Sequence, residues 1–249
     1  MNTQAYMILH YCKDYAGWSI KSVYNHVEKI HVLYSPTPTH GTLTLIPCPD
    51  TREELKKAIK SNDPFNKVIW HEVSNITHEG PHRDLAVDIC RRYGADVVLV
   101  VDNDEIWPHA TLSNALREVE KTEKRNFLIN FTHLWRSFNH CCKDDGWPVR
   151  FIRLDQRKGT HYIPRELGEI YHFGYAINDD LMNYKWLIHG HIRELRPNWF
   201  KDKWNNWVFG VEDVHPTNEK NFWIPEPFDK ARLPNFMKEH PYYNLEIIK

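Results

Sequence analysis

The sequence predicts an α/β fold, a mostly parallel sheet flanked by helices. Three observations lead there. The first half of the chain alternates strand-like runs with amphipathic helix-length stretches. The run Val97-Val98-Leu99-Val100-Val101 is continuously apolar and mostly β-branched, the pattern of a strand covered on both faces. Leu112, Ala115, Leu116 and Val119 recur at i, i+3, i+4 and i+7, which aims one helix face at a core. A chain of 249 residues suits one large domain or two closely packed halves.

Taken in order, residues 6–11 read as the first strand. Residues 18–26 read as a helix with Ile20, Val23 and Val27 on one face, and residues 30–34 as a second strand. Residues 35–50 form a Pro/Thr-rich excursion expected on the surface. Thr51 and Glu54 make a capping box that opens a helix with Leu55 and Ile59 inward. Residues 68–73 are a third strand, 83–93 a helix with Leu85 and Ile89 on one face, and 97–101 the fourth strand. After the helix that carries Leu112 comes a strand over 127–131. The alternation then fades. Short strands are expected at 149–154 and 161–163, and a helix over 179–189. From Arg196 onwards, repeated prolines forbid long regular elements.

Composition narrows the field. Lys and Arg total 32 against 33 Asp and Glu, so no global field steers the protein towards nucleic acid or anionic membrane. Five cysteines without C-x-x-C spacing argue against a disulfide framework or a zinc ribbon. The N-terminus carries no basic, apolar leader pattern, and no stretch has the apolar length of a membrane span. Together these make a cytoplasmic location the expectation.

The chemistry concentrates where the fourth strand ends. Asp102, Asp104 and Glu105 follow Val101 with only Asn103 between them. Carboxylates this close are costly unless something positive neutralises them. A divalent cation carrying a phosphorylated ligand does so, because hard cations take carboxylate and phosphate oxygens together. The carboxyl ends of strands in an open α/β sheet are also where ligands bind.

This D-x-D end, reached after three strand–helix units, resembles the GT-A glycosyltransferases. The stretch Tyr15-Ala16-Gly17-Trp18 through Val32 is similar to the opening of family 2 glycosyltransferases, and so is His82-Arg83-Asp84-Leu85-Ala86 followed by the run from Gly94 to Glu105. The Asp104-Glu105-Ile106-Trp107-Pro108 ending also resembles the family 17 N-acetylglucosaminyltransferases. The likeness covers roughly the first 110 residues well and the rest weakly. It implies a GT-A sheet in which residues 1–108 bind a nucleotide-sugar and residues 109–249 bind the acceptor, as halves of one compact domain. It implies a metal-dependent transfer of sugar from a nucleotide-sugar, most simply a UDP-sugar, to an acceptor hydroxyl, with inversion. The acceptor would be a saccharide or lipid-linked saccharide.

The same resemblance assigns candidate residues. Asp104 would hold manganese, Mn2+ (or magnesium, Mg2+), and Asp102 would contact the donor ribose or reach the metal through water. Arg83 would pair with phosphate or with Asp102, unless it is a surface arginine. Tyr11, just after the first strand, would stack on the nucleobase, or else cap the strand and pack on Trp18. A histidine from the second half would complete the metal site: His172 first, His189 second, His191 also in reach. An inverting enzyme needs a carboxylate base, and Glu166, Glu169 and Asp180 surround the His172 segment. Asp179 beside them also reads as a helix N-cap. Trp199, Lys203, Trp204 and Trp207 mix cations with flat rings and would grip the acceptor, unless the indoles pack on the sheet.

Other classes stay in view. An alternative acceptor is a hydroxymethylated base in DNA, extruded into a small basic groove. A sugar- or nucleic-acid-binding module would use the acids structurally. A nucleotidyl transferase would want a Gly-rich basic loop after the first strand, where residues 11–17 offer one Gly and one Lys. A two-metal nuclease would need further converging carboxylates.

Overall fold

The computed structural model describes residues 1–38, 44–74, 76, 78–143, 146–217 and 223–249. The first half forms β1 (Thr3–Leu9), α1 (Lys13–Val23), β2 (Lys29–Tyr34), α2 (Arg52–Lys60), β3 (Val68–Glu72), α3 (Glu79–Arg92), β4 (Val97–Val100), β5 (Glu105–Ile106) and α4 (His109–Lys121). The second half adds β6 (Asn126–Leu128), β7 (Phe131–Trp135), β8 (His140–Lys143), β9 (Val149–Arg153), β10 (Thr160–Tyr162), β11 (Ile170–Tyr175), α5 (Asp179–Leu187) and β12 (Glu226–Pro227).

Two sheets result. The larger has seven strands in the order β10-β6-β9-β4-β1-β2-β3. Only β9 runs against its neighbours, so the sheet is mostly parallel. The α/β architecture expected from the sequence is therefore present. Period-two alternation sorts its side chains. Ala5, Met7, Leu9, Val97, Leu99 and Val101 face a core shared with α1, α2 and α4. Tyr6, Val98 and Val100 face α3 through Ala86, Ile89 and Cys90.

The smaller sheet has the order β12-β8-β7-β11-β5 and carries a core rich in aromatic rings. The chain's halves share both sheets. Strands β6, β9 and β10 from the second half complete the larger sheet, and β5 from the first half edges the smaller one.

Three local expectations shift. The strand expected over 127–131 is two strands, β6 and β7, one in each sheet, because the chain crosses between sheets at Ile129 and Asn130. The first helix begins at Lys13 rather than at Trp18. Its start is capped from a distance: Asp50 Oδ2 accepts the backbone N–H of Cys12 at 2.6 Å and of Lys13 at 3.0 Å. The cap of α5 is Asn178, whose Oδ1 accepts the Leu181 N–H at 2.8 Å, and not Asp179. The capping box of Thr51 and Glu54 forms as expected. Residues 39–43 of the Pro/Thr-rich excursion lie outside the described residues. Among the described residues no helix is long and apolar enough to cross a membrane.

Topology singles out one crevice. From β1 the chain steps outward through β2 to β3, then returns to place β4 on the other side of β1. Strand order reverses between β1 and β4, and ligands bind outside the carboxyl ends at such a reversal.

Candidate active site

The carboxyl ends of β1 and β4 carry His10-Tyr11-Cys12 and Asp102-Asn103-Asp104. Asn103 ties them together by donating Nδ2–H to the Tyr11 carbonyl at 2.8 Å. Cys12 turns the chain into α1 with a left-handed φ of 80°, a strained conformation for a side chain with a Cβ. Strand β5 then pairs antiparallel with β11, which sets His172 opposite Glu105. Phe173 N–H donates to the Asp104 carbonyl at 2.7 Å, so the smaller sheet is stitched directly to the D-x-D turn.

The acids here are matched by cations. Arg150, buried on β9, donates Nε–H to both Glu105 oxygens at 3.0 and 3.1 Å and Nη2–H to Asp102 Oδ2 at 2.6 Å. Arg83, on α3, pairs with Asp102 Oδ1 at 3.4 Å and donates Nε–H to Glu79 at 2.6 Å. Burial works against the ionised Asp102 carboxyl, but Arg150 and Arg83 outweigh it and hold it down at about 2. Asp102 is thus a fixed anion whose two oxygens are each taken by a guanidinium.

Asp104 is placed differently. Its Oδ1 lies 3.4 Å from His172 Nε2 and its Oδ2 lies 3.7 Å from Lys185 Nζ. Burial raises the Asp104 carboxyl, with Lys185 opposing. Burial also drives the His172 imidazole well below its ordinary value, and His133 and Lys185 push the same way. His172 is therefore neutral, the form that offers a lone pair. Gly174 makes room for all three groups. A Cβ at that position would sit 2.4 Å from His172 Cε1, 2.7 Å from Lys185 Nζ and 2.8 Å from Asp104 Oδ2.

These residues line a cavity of about 200 Å³ that runs from Ile8, His10 and Tyr11 past Arg83 and Asp102 to Asp104, His172 and Lys185. A second cavity of about 360 Å³ shares Tyr11, Glu79, Lys185 and Ile188 with it and adds His189, Gly190 and His191. Tyr11 packs edge-on to His10 and Tyr184, while Trp18 stacks on Phe236.

The donor set fits a divalent ion held jointly with a ligand. Octahedral donors at bonds of about 2.1 Å stand roughly 3 Å apart when adjacent, close to the 3.4 Å between Asp104 Oδ1 and His172 Nε2. A carboxylate and a neutral imidazole suit manganese. Among the described residues no three His, Cys, Asp or Glu side chains are grouped to hold an ion by themselves. The remaining positions would fall to phosphate oxygens and water.

The crevice gathers Tyr11, Arg83, Asp102, Asp104 and His172, while His189 lines the adjoining cavity. The other sequence candidates lie elsewhere. Glu166 is exposed on a short 3-10 turn. Glu169 accepts from Thr132 Oγ1 at 2.6 Å and pairs with Arg232. Asp180 is exposed beside Lys13 and Asp50, lining a separate cavity. None of the three lines the crevice, whose carboxylates are Glu79, Asp102 and Asp104.

The expected acceptor grip is likewise corrected. Trp199, Trp204 and Trp207 are all buried. Trp199 Nε1 donates to the Val214 carbonyl at 2.8 Å, Trp204 Nε1 donates to Asp179 at 3.0 Å, and Trp207 sits edge-on to Trp135. Indoles bury more surface inside than a loop flank could cover, so they make the second core. Lys203 Nζ donates a hydrogen bond to the Glu212 carbonyl at 2.8 Å.

Sequence reasoning missed Arg150 and His133 as members of the site. An arginine inside a strand pattern was the available signal for Arg150. His133 is 39 residues from its partner His172, and nothing local marks it.

No protein-family model matches the chain, and no curated protein matches it. Among solved structures, the chain is similar to a CMP:2-keto-3-deoxy-manno-octonic acid synthetase complexed with CTP. The identity is 9%, over 61% of this chain and 74% of that one, with a TM-score of 0.32. It is also similar to the inositol-1-phosphate CTP transferase from T. maritima, at 10% identity over 74% of this chain and 95% of that one, with a TM-score of 0.39. Scores at that level decide neither topology nor chemistry, so the functional reading rests on the crevice.

Proposed function

We propose that the protein is a metal-dependent glycosyltransferase that moves a sugar from a nucleotide-sugar, a UDP-sugar in the simplest case, to an acceptor hydroxyl of a saccharide or lipid-linked saccharide. One observation carries the reading: Asp104 and His172 face each other at the strand-order reversal, close to the spacing of adjacent metal ligands.

Charge supports it. Arg83 and Arg150 are committed to Asp102, Glu79 and Glu105, and Lys185 faces Asp104. A diphosphate entering this crevice brings negative charge that the resident cations already balance against carboxylates. Asp104 and His172 would hold a divalent ion there, which would supply the missing positive charge and Lewis-acid stabilisation of a departing diphosphate.

The chain's own residues do the rest. Tyr11 and His10 flank the end of the crevice that suits the nucleoside. Arg83, fixed by Asp102, presents its guanidinium to the phosphates. Lys185 lies between both cavities, where it can follow charge onto the leaving group. Glu79 lines both cavities and becomes the carboxylate to test as base, in place of Glu166, Glu169 and Asp180. For the acceptor, exposed Tyr162 meets Trp147 edge-on at 5.7 Å. Tyr162 is level with Leu128 and Leu128 with Val149, so this pair stands at the same end of the sheet as Arg150.

The test is thermal stability with manganese and a panel of nucleoside diphosphates and nucleotide-sugars, followed by acceptor screening that includes hydroxymethylated DNA. A rise in melting temperature that needs both metal and nucleotide, and is lost in Asp104→Ala, is the expected result. Unchanged metal-dependent binding in Asp104→Ala would overturn the mechanism. Pyrophosphate release from a nucleoside triphosphate and a sugar phosphate would replace the reading with nucleotidyl transfer.

A further inference from the structure

His133 and His172 occupy facing positions on the parallel strands β7 and β11, so their side chains leave the sheet on one side. Their Nδ1 atoms are 2.8 Å apart. Two bare nitrogens would repel at that distance and two N–H groups would collide, so a single proton lies between them. That leaves two arrangements. In the first, His133 donates to a bare His172 Nδ1, and neutral His172 carries its one ring proton on Nε2. In the second, His172 donates, and its Nε2 keeps a bare lone pair.

The distance on the far side of the ring separates them. A protonated Nε2 beside a buried carboxylate would close to about 2.7–3.2 Å. The observed 3.4 Å to Asp104 Oδ1 is wider than that, the separation of two lone pairs rather than of a donor and its acceptor. The rings are also held in place. Phe131 lies against the face of His172, with centroids 5.5 Å apart, and Trp223 lies 4.5 Å from the His133 ring.

We propose that His133 is a positioning residue: by accepting the His172 Nδ1 proton it fixes the tautomer in which the His172 Nε2 lone pair faces Asp104. A histidine in this supporting role does what a carboxylate or carbonyl does behind most metal-binding histidines. The proposal deepens the metal-dependent reading above and rests on it for its purpose, though its first test does not.

That test is the nitrogen spectrum of the metal-free protein labelled with nitrogen-15 histidine, with His172 assigned by comparison with His172→Gln. The expected signature is a pyrrole-like Nδ1 and a pyridine-like Nε2 on His172. A pyrrole-like Nε2 in the wild type overturns the proposal, whatever the protein binds. The second test is manganese affinity in the presence of UDP, read from the spin resonance of free manganese. His133→Phe should weaken manganese by about 10- to 100-fold. His133→Asn, whose amide oxygen can take the place of Nδ1, should recover most of that loss. Equal affinity in His133→Phe and wild type, with both folded by circular dichroism, also overturns it. If the wild type binds no manganese, the function proposed above fails, and the spectrum alone decides the tautomer.

Discussion

Gly174→Ala tests the crevice with a single methyl group. The new Cβ would meet His172 Cε1 at 2.4 Å, Lys185 Nζ at 2.7 Å and Asp104 Oδ2 at 2.8 Å. Carbon contacts settle at about 3.5–4.0 Å, so something must retreat by roughly 1 Å. The Lys185 chain can swing away at little cost. The His172 ring is held by Phe131 and His133, and Asp104 is short and buried. Overpacking of this kind costs about 1–3 kcal/mol. That strain has two places to appear. If His172 and Asp104 stay in place, the folded state carries it, and the melting temperature falls by about 2–12 °C in a chain of this size. If they move apart, the fold relaxes and metal-dependent nucleotide affinity falls by roughly 5- to 150-fold. Scanning calorimetry with and without manganese and UDP measures both. A variant with wild-type melting and wild-type affinity would refute the packing of these three groups around Gly174.

Two buried histidines should each withdraw stability as pH falls, against an opposite contribution from Glu105, whose carboxyl burial raises to about 7. Burial lowers His31 and His240 to about 4 in the folded state, against about 6.5 when unfolded. At these two residues the unfolded chain therefore binds more protons below pH 6.5, and their contribution to stability falls from there until about pH 4. Each residue contributes a loss of about 2 kcal/mol between pH 7 and pH 5, read for His240 as the difference in urea-midpoint shift between wild type and His240→Gln. Trp204→Ala should cost about 3–5 kcal/mol because its ring is fully buried, yet leave the increment of melting temperature produced by manganese and nucleotide unchanged. A lost increment with an intact fold would return Trp204 to the ligand site. Tyr162→Ala should raise KM for the acceptor several-fold and leave donor KM alone; an unaltered acceptor KM removes Tyr162 from the acceptor path.

What could be read from the sequence follows the range of the forces involved. The strand over 97–101, the capping box at Thr51 and the stripe through Leu112 were legible because each is written within one element. The D-x-D acids were legible because three carboxylates after an apolar strand demand a partner. Their actual partners were not. Arg150 reaches Asp102 from 48 residues away, and Asp50 caps α1 from 38 residues away. The tryptophans were ambiguous for another reason: an indole suits both a wet binding surface and a dry core, and only the smaller sheet, with strands of two to six residues, shows which. Those strands were too short to give a periodic signal, and β5, β8, β11 and β12 went unread.

The two-residue strand β5 has a mechanical consequence. It begins at Glu105, directly after Asp104, and it is the edge by which the larger sheet's crevice joins the smaller sheet. Arg83 and Asp102 belong to the larger sheet and its flanking helix, His172 belongs to the smaller sheet, and Tyr11 packs against the smaller sheet's core and Tyr184. The ion pairs of Asp102 with Arg83 and Arg150 can therefore survive loosening of the smaller sheet, while the Asp104–His172 pair exists only when both are docked. Partial melting would leave the fixed anion at Asp102 in place and dissolve the candidate metal site.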